Sequence, residues 1–227
     1  MIRRIGVVIP ARDESATIAR CLESVLSAAA RVDVAVDMSI VVVADGCLDD
    51  TAEIARTFRG VTVLELESSN VGTARAAGCR RALRLGADWL ANTDADSMVP
   101  PNWLEVQLAL AAEGAAVVVG TVRPDFDDLA DAQRDAWLRG HVRGRPNGHV
   151  HGANLGIRSR AYVAAGGYST LPEHEDVELV ERLTAHGRLV ASDAAEVVTS
   201  GRTYGRTPGG YARYLREDLI AQVTAPR

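Results

Sequence analysis

Five short apolar runs, at residues 5–9, 40–43, 61–64, 89–93 and 116–120, recur along the chain, each bounded by polar or turn-forming residues. Continuous apolar runs of this length are what strands need when a sheet is covered on both faces. Between them the periodicity changes to that of helices. Ile18, Cys21, Leu22, Val25 and Leu26 fall on one stripe of 3.6-residue period. Asp49 or Asp50 suits the cap of a helix opening at Thr51, and Asn102 suits the cap of another carrying Leu104, Leu108 and Ala111. Repeated strand, loop and helix imply right-handed crossovers, hence an α/β fold built on a mostly parallel sheet flanked by helices. After Gly120 the alternation gives way to an acidic helical stretch over 125–140, the polar loop "GRPNGHVHG" over 144–152, and an amphipathic helix over 211–223.

The 227 residues, 47% of them hydrophobic, suit one well-packed domain over 1–227. A net charge of -5 argues against a nucleic-acid binder, which would carry a concentrated basic face. Cys21, Cys47 and Cys79 are odd in number and widely spaced, so neither a disulfide framework nor a zinc site is expected, and reduced cytoplasmic thiols fit. Arg3 and Arg4 precede an apolar run too short for a signal peptide or a membrane span. The expectation is therefore a cytoplasmic chain with no transmembrane segment, peripheral membrane contact being left open.

In an open parallel sheet, ligands bind beyond the carboxyl ends of the strands. The residues after the runs are distinctive: "PARDESAT", "ADGCLDDT", "SSNVGTARAAG" and "NTDADS" would converge on one rim. Asp94 and Asp96 lie two apart, so an extended chain through Ala95 turns both carboxylates to one side, where hard oxygen ligands suit Mg²⁺ or Mn²⁺. The alternative is that the two Asp residues only end the strand as turn formers.

"VVIPARDESATIARCLESVL", "VVVADGCLDDTAEIA", "NVGTARAAGCRRAL", "NTDADSMVPPNWL" and "HGANLGIRSRAYVAAGGYSTLPEHEDVELVERL" together resemble the successive signature blocks of family 2 glycosyltransferases with the GT-A fold. The likeness runs in order over about residues 5–187. It implies a Rossmann-like sheet whose first part, 1–120, binds a nucleotide sugar, while a smaller acceptor-side region and tail occupy 121–227. It further implies transfer of a sugar from a UDP- or GDP-linked donor to a small-molecule, lipid or glycan hydroxyl, with inversion. In that pattern Pro10, Ala11, Arg12 and Glu14 border the base and ribose, and Asp45 hydrogen-bonds an N–H of the base. Asp94 and Ala95 approach the donor, and Asp96 is the firmer ligand of a divalent metal. Gly152, Ala153 and Asn154 line the sugar pocket, and Asp176 of the Glu175-Asp176 pair is the base.

Asp176, Val180 and Leu183 share one helix face, so the carboxylate would point inward; the plainer reading of such an acid is first-turn stabilisation of the helix dipole, which serves for Glu173 and Glu178. Arg75, near a helix start, could touch phosphate or carboxylates, and Arg202 and Arg206 could clamp a diphosphate or form a solvated basic tail. The chain departs from the pattern in "VVTSGRTYGR", where many members carry a further metal-ligating His. Other classes fit less well: a nucleotidyltransferase would open with a Gly-rich basic loop, a dinucleotide oxidoreductase with GxGxxG, and a non-catalytic sugar-nucleotide-binding regulator would not need both acidic blocks intact.

Overall fold

The computed structural model describes residues 2–141, 150–171, 173–205, 209–219 and 221. One eight-stranded sheet runs in the order β3-β2-β1-β4-β7-β6-β8-β5. The strands are β1 (Arg4–Ala11), β2 (Asp37–Asp45), β3 (Val61–Leu66), β4 (Trp89–Asn92), β5 (Ser97–Met98), β6 (Val117–Pro124), β7 (Leu155–Arg158) and β8 (Leu189–Thr199). Four of the expected runs are β1 to β4, which pair in parallel. Beyond β4 the sheet becomes mixed, because β7 lies antiparallel to both β4 and β6, and β5 antiparallel to β8.

The helices are α1 (Ile18–Ala29), α2 (Thr51–Arg56), α3 (Val71–Arg84), α4 (Trp103–Ala112), α5 (Asp131–Gly140), α6 (Ser159–Ala164), α7 (Glu175–Leu183) and the short α8 (Tyr211–Arg213), which continues into a π-helical turn, Tyr214–Asp218. Alternation along the strands fills both faces. Ile5, Val7 and Ile9 join Trp89 and the α1 stripe in one apolar layer, while Val8 and Leu90 join Cys79, Ala82, Leu179 and Leu183 in the other. Fully burying each such aliphatic side chain contributes about 1.5–3 kcal/mol. No helix among the described residues is long and apolar enough to cross a membrane.

Two local expectations are corrected. Asn102 does not cap α4 through its side chain; its amide donates instead to the Ala194 carbonyl at 3.0 Å, tying the helix start to β8. The extended chain does not continue through Ala95 either. Ser97 N donates to the Asp94 carbonyl at 3.1 Å, closing a turn that leads into β5.

Candidate functional site

A cavity of about 1070 Å³ opens over the carboxyl ends of β1, β2 and β4. Its wall includes Pro10, Ala11, Arg12, Glu14, Asp45, Arg75, Asp94, Ala95, Asp96, Gly152, Ala153, Glu175, Asp176 and Arg202. Seven chain stretches far apart in sequence therefore meet where the sheet topology directs a ligand. Arg206 lies outside the described residues.

Arg75 is the hub of the site. Its side chain is 4% exposed, and its three nitrogens reach Glu175 Oε1 at 3.0 Å, the Gly152 carbonyl at 3.2 Å and Asp94 Oδ1 at 2.5 Å. Burial by itself favours the neutral form, but the Asp94 and Glu175 carboxylates hold the guanidinium firmly charged. Burial likewise pushes the Glu175 carboxyl above its usual range, against the pull of Arg75. The absence of a side chain at Gly152 matters here, since a Cβ would run into the guanidinium.

Asp176 faces the same cavity from the first turn of α7. Its Oδ2 accepts Gly152 N at 2.6 Å and its Oδ1 accepts Val177 N at 2.8 Å. A carboxylate offers about four lone-pair sites, so each oxygen keeps one for an incoming hydroxyl. The Gly152 amide fixes the direction in which those lone pairs point.

Asp96 lies on the other side, with 13% of its side chain exposed. Its Oδ1 accepts the Thr199 hydroxyl at 3.3 Å, which in turn accepts Ser97 Oγ at 2.8 Å, and its Oδ2 lies 2.9 Å from Arg202 Nη2. Burial, together with the Asp94 charge, raises its pKa to about 6, with Arg202 pulling the other way. Arg202 also grips Glu14 in bidentate fashion, Nη1 to Oε2 at 3.1 Å and Nη2 to Oε1 at 2.9 Å. Sequence reasoning did not find Thr199, because a Thr ending a strand carries no distinguishing pattern.

A divalent cation would find at this place only hard carboxylate oxygens, the donor set that Mg²⁺ and Mn²⁺ prefer. Among the described residues, the three-residue cluster with ligand atoms in mutual reach is Asp13, Cys47 and Asp49, on the loops after β1 and β2. Asp94 and Asp96 would supply only part of a coordination shell for such a cation, the remaining oxygens having to come from elsewhere.

Two residues differ from expectation in what they touch. Asn154, expected beside the sugar, is 2% exposed and turned into the core. Its amide nitrogen donates to the carbonyls of Thr121 at 2.9 Å and Ala195 at 2.8 Å, and its oxygen accepts Trp103 Nε1 at 2.9 Å. With those bonds made, it binds β6, β8 and α4 together and is not part of the cavity wall. Asp45 does line the cavity, yet its oxygens already accept Ser68 Oγ at 2.7 Å and the backbone N–H groups of Ser68, Ser69 and Asn70. Burial opposes ionisation, but these four donors outweigh it and hold the carboxyl below its usual range. Asp45 therefore orders the loop before α3, and contact with a base would require it to release one of those bonds.

At the far end of the cavity the wall becomes aromatic. Trp137 and His141 stack at 4.2 Å, Tyr211 and Tyr214 at 5.7 Å, and His151 meets Tyr211 edge-on. Sequence reasoning weighed only His151, as a possible donor or acceptor contact against an ordinary hydrogen-bonded His; helical spacing at 137, 211 and 214 reads as packing. Glu173, expected as a first-turn acid, precedes α7 and accepts Gly209 N at 2.7 Å.

The model of the family described as glycosyl transferase family 2 matches residues 6–162. Among solved structures, S. aureus TarS 1–349 in complex with UDP-GlcNAc aligns with a TM-score of 0.69 at 14% identity, covering 97% of this chain and 66% of that one. Mannosyltransferase PcManGT from Pyrobaculum calidifontis, in complex with GDP-Man and Mn²⁺, aligns with a TM-score of 0.68 at 20% identity, covering 100% of this chain and 65% of that one. The chain thus spans about two thirds of the length of either structure, and at these identities the likeness is one of fold. No curated protein sequence matches it.

Proposed function

The chain belongs to glycosyl transferase family 2, and from that premise we propose that it transfers a sugar from a UDP- or GDP-linked donor to a hydroxyl acceptor by a single inverting displacement. The observation that carries this reading is the placement of Asp176, oriented by Gly152 N, on the wall of the cavity that also holds Asp94 and Asp96. Base and leaving-group ends of a displacement are then present in one cleft.

In this reading Pro10, Ala11, Arg12 and Glu14 border the nucleoside, and the Asp45-ordered loop closes its far side. Asp94 is held in place by Arg75, the same guanidinium that holds Glu175 next to the base. Asp96 and Asp94 would hold Mn²⁺ or Mg²⁺, which when bound supplies Lewis-acid stabilisation of the departing diphosphate. Asp176 takes the proton of the acceptor hydroxyl as that oxygen attacks the anomeric carbon. Among the described cavity-wall residues there is no Cys or Lys, so no thiolate or amine is placed to form a covalent sugar intermediate, which fits direct displacement.

Nucleotide release should be measured with a panel of UDP- and GDP-sugars, with and without Mn²⁺. The wild type should release nucleotide from one donor class in a cation-dependent way. Asp176→Asn should lower kcat by about 10²–10⁴ while nucleotide affinity stays nearly unchanged, since the lost proton acceptor acts mainly in the transition state. Retained anomeric configuration in the product, read by NMR, would overturn inversion even if the substitution abolished turnover.

A further inference from the structure

After β8, Ser200, Arg202, Gly205, Gly209 and Gly210 contribute to the cavity wall, and the described residues of this stretch are fastened at several points. At its root, Ser200 N donates to the Asp96 carbonyl at 3.1 Å, and Gly201 N to Asp128 Oδ2 at 2.8 Å. Farther along, Gly209 N is held by Glu173. Between them Arg202 reaches down to Glu14 and Asp96, whose side chains are only 8% and 13% exposed, while its own is 37% exposed. The two carboxylates are set into the wall, and the cation is the partner that solvent can reach.

Charge makes this arrangement consequential. Asp94, Asp96 and Glu14 crowd one end of the cleft, and Arg75 is already committed to Asp94 and Glu175. Among the described residues Arg202 lies against both Asp96 and Glu14, and leaving Asp96 buried without a counter-charge would be costly. Asp96 Oδ1 is engaged by the Thr199 hydroxyl, and a cation approaching the other oxygen meets the guanidinium. A dication arriving alone would have to sit against Arg202, like charge against like. A diphosphate removes the conflict, because its oxygens can ligate a cation and also accept the planar guanidinium fork.

We infer that Arg202 is the resident counter-cation of Asp96, and that a divalent ion gains Asp96 only when a nucleotide diphosphate draws Arg202 away. The inference rests on the metal-dependent reading above and adds to it a built-in linkage. Nucleotide and metal bind with positive coupling carried by one side chain, and by reciprocity each strengthens the other by the same factor. Metal without donor is disfavoured, which keeps the empty cleft in the Arg202-closed form.

The test is Mn²⁺ binding, read from the EPR signal of the free ion, for the wild type, Arg202→Gln, Arg202→Lys and Asp96→Asn, each with and without UDP and GDP. Arg202→Gln should bind Mn²⁺ alone about tenfold more tightly than wild type and lose most of the nucleotide-dependent gain, within the 5–150-fold span usual for coupled sites. Arg202→Lys keeps the charge and should bind Mn²⁺ alone as weakly as wild type, while losing the part of the nucleotide-dependent gain that needs the guanidinium fork. Asp96→Asn should lose the ion in both states, which identifies the site being read and separates it from Asp13, Cys47 and Asp49. If Arg202→Gln binds Mn²⁺ alone no more tightly than wild type while Asp96→Asn still abolishes binding, the linkage is wrong and the metal site stands. If neither nucleotide brings Mn²⁺ onto the wild type, the metal-dependent reading fails and the linkage fails with it.

Discussion

Asn154 and Arg75 show how two polar side chains, both nearly fully buried, can serve different ends. Asn154 ties strands to a helix without touching the cavity wall, whereas Arg75 ties together the two acidic ends of the cleft. Asn154→Ala would strand the Trp103 indole N–H and two carbonyls in the core. A buried group left without its partner costs about 1–3 kcal/mol, so the substitution should lower unfolding free energy by at least about 2 kcal/mol. Nucleotide affinity of the folded fraction should be unchanged. Denaturant unfolding and calorimetric nucleotide titration on the same sample check both halves, and a selective loss of affinity at full stability would return Asn154 to the binding site.

At the scale of elements, the loops after β1 and β2 hold each other in shape. Asp49 accepts Ser15 N at 2.9 Å and Thr51 N at 3.0 Å, and the Thr51 hydroxyl, which also bonds Asp49, accepts Glu14 N at 2.8 Å. Of the two acids that suited the start of α2, it is Asp49 that makes the side-chain bonds; Asp50 makes no capping bond. This stitching sets the position of Glu14, and so of the anchor for Arg202. Partial burial works against ionisation of Asp49, but the Thr51 and Ser15 bonds prevail and lower its pKa from 3.8 to about 2. A group whose folded pKa is depressed stabilises the fold above its unfolded pKa and loses that contribution as pH falls toward the folded one. Asp49→Asn should therefore cost about 0.5–2 kcal/mol near neutral pH, the range for losing a helix-capping side chain. The gap in melting temperature between wild type and variant should hold from pH 7 to 5 and narrow below about 4. A gap that widens on acidification would contradict the assignment.

For the molecule as a whole, one sheet passes through both parts of the chain. β7 sits between β4 and β6, so the strands that carry the first loops are completed by one that arrives much later. Residues 1–120 and 121–227 share a core, and the expectation of a single domain becomes a prediction about cooperativity. Trp89 and Trp103 are fully buried in the first part and Trp137 nearly so in the second, which places fluorescent reporters on both sides. Thermal unfolding followed by tryptophan fluorescence and by far-UV circular dichroism should give coincident single transitions. Two separated transitions would show the parts to be independent.

Local pattern was enough to locate much of this. The apolar runs at 5–9, 40–43, 61–64, 89–93 and 116–120 announced β1 to β4 and β6, because strands covered by packing leave a continuous signature, even for the half-buried β3, and the polar loops after the first four do meet at one rim. The remaining strands left a weaker trace: β7 is four residues long, β5 two, and β8 is half-exposed along most of its length, so no apolar run marks them. That Arg75 could touch carboxylates was legible, but which polar side chains pair with which was not. Arg75 and Glu175 are 100 positions apart, and Arg202 and Glu14 are 188 apart, although both pairs touch. Periodicity reports what a residue's neighbours along the chain require, namely which face is buried and where an element stops. The choice among several acids for one guanidinium, or the turning of Asn154 inward, depends on the order in which strands are laid side by side, a long-range property that no window of sequence contains.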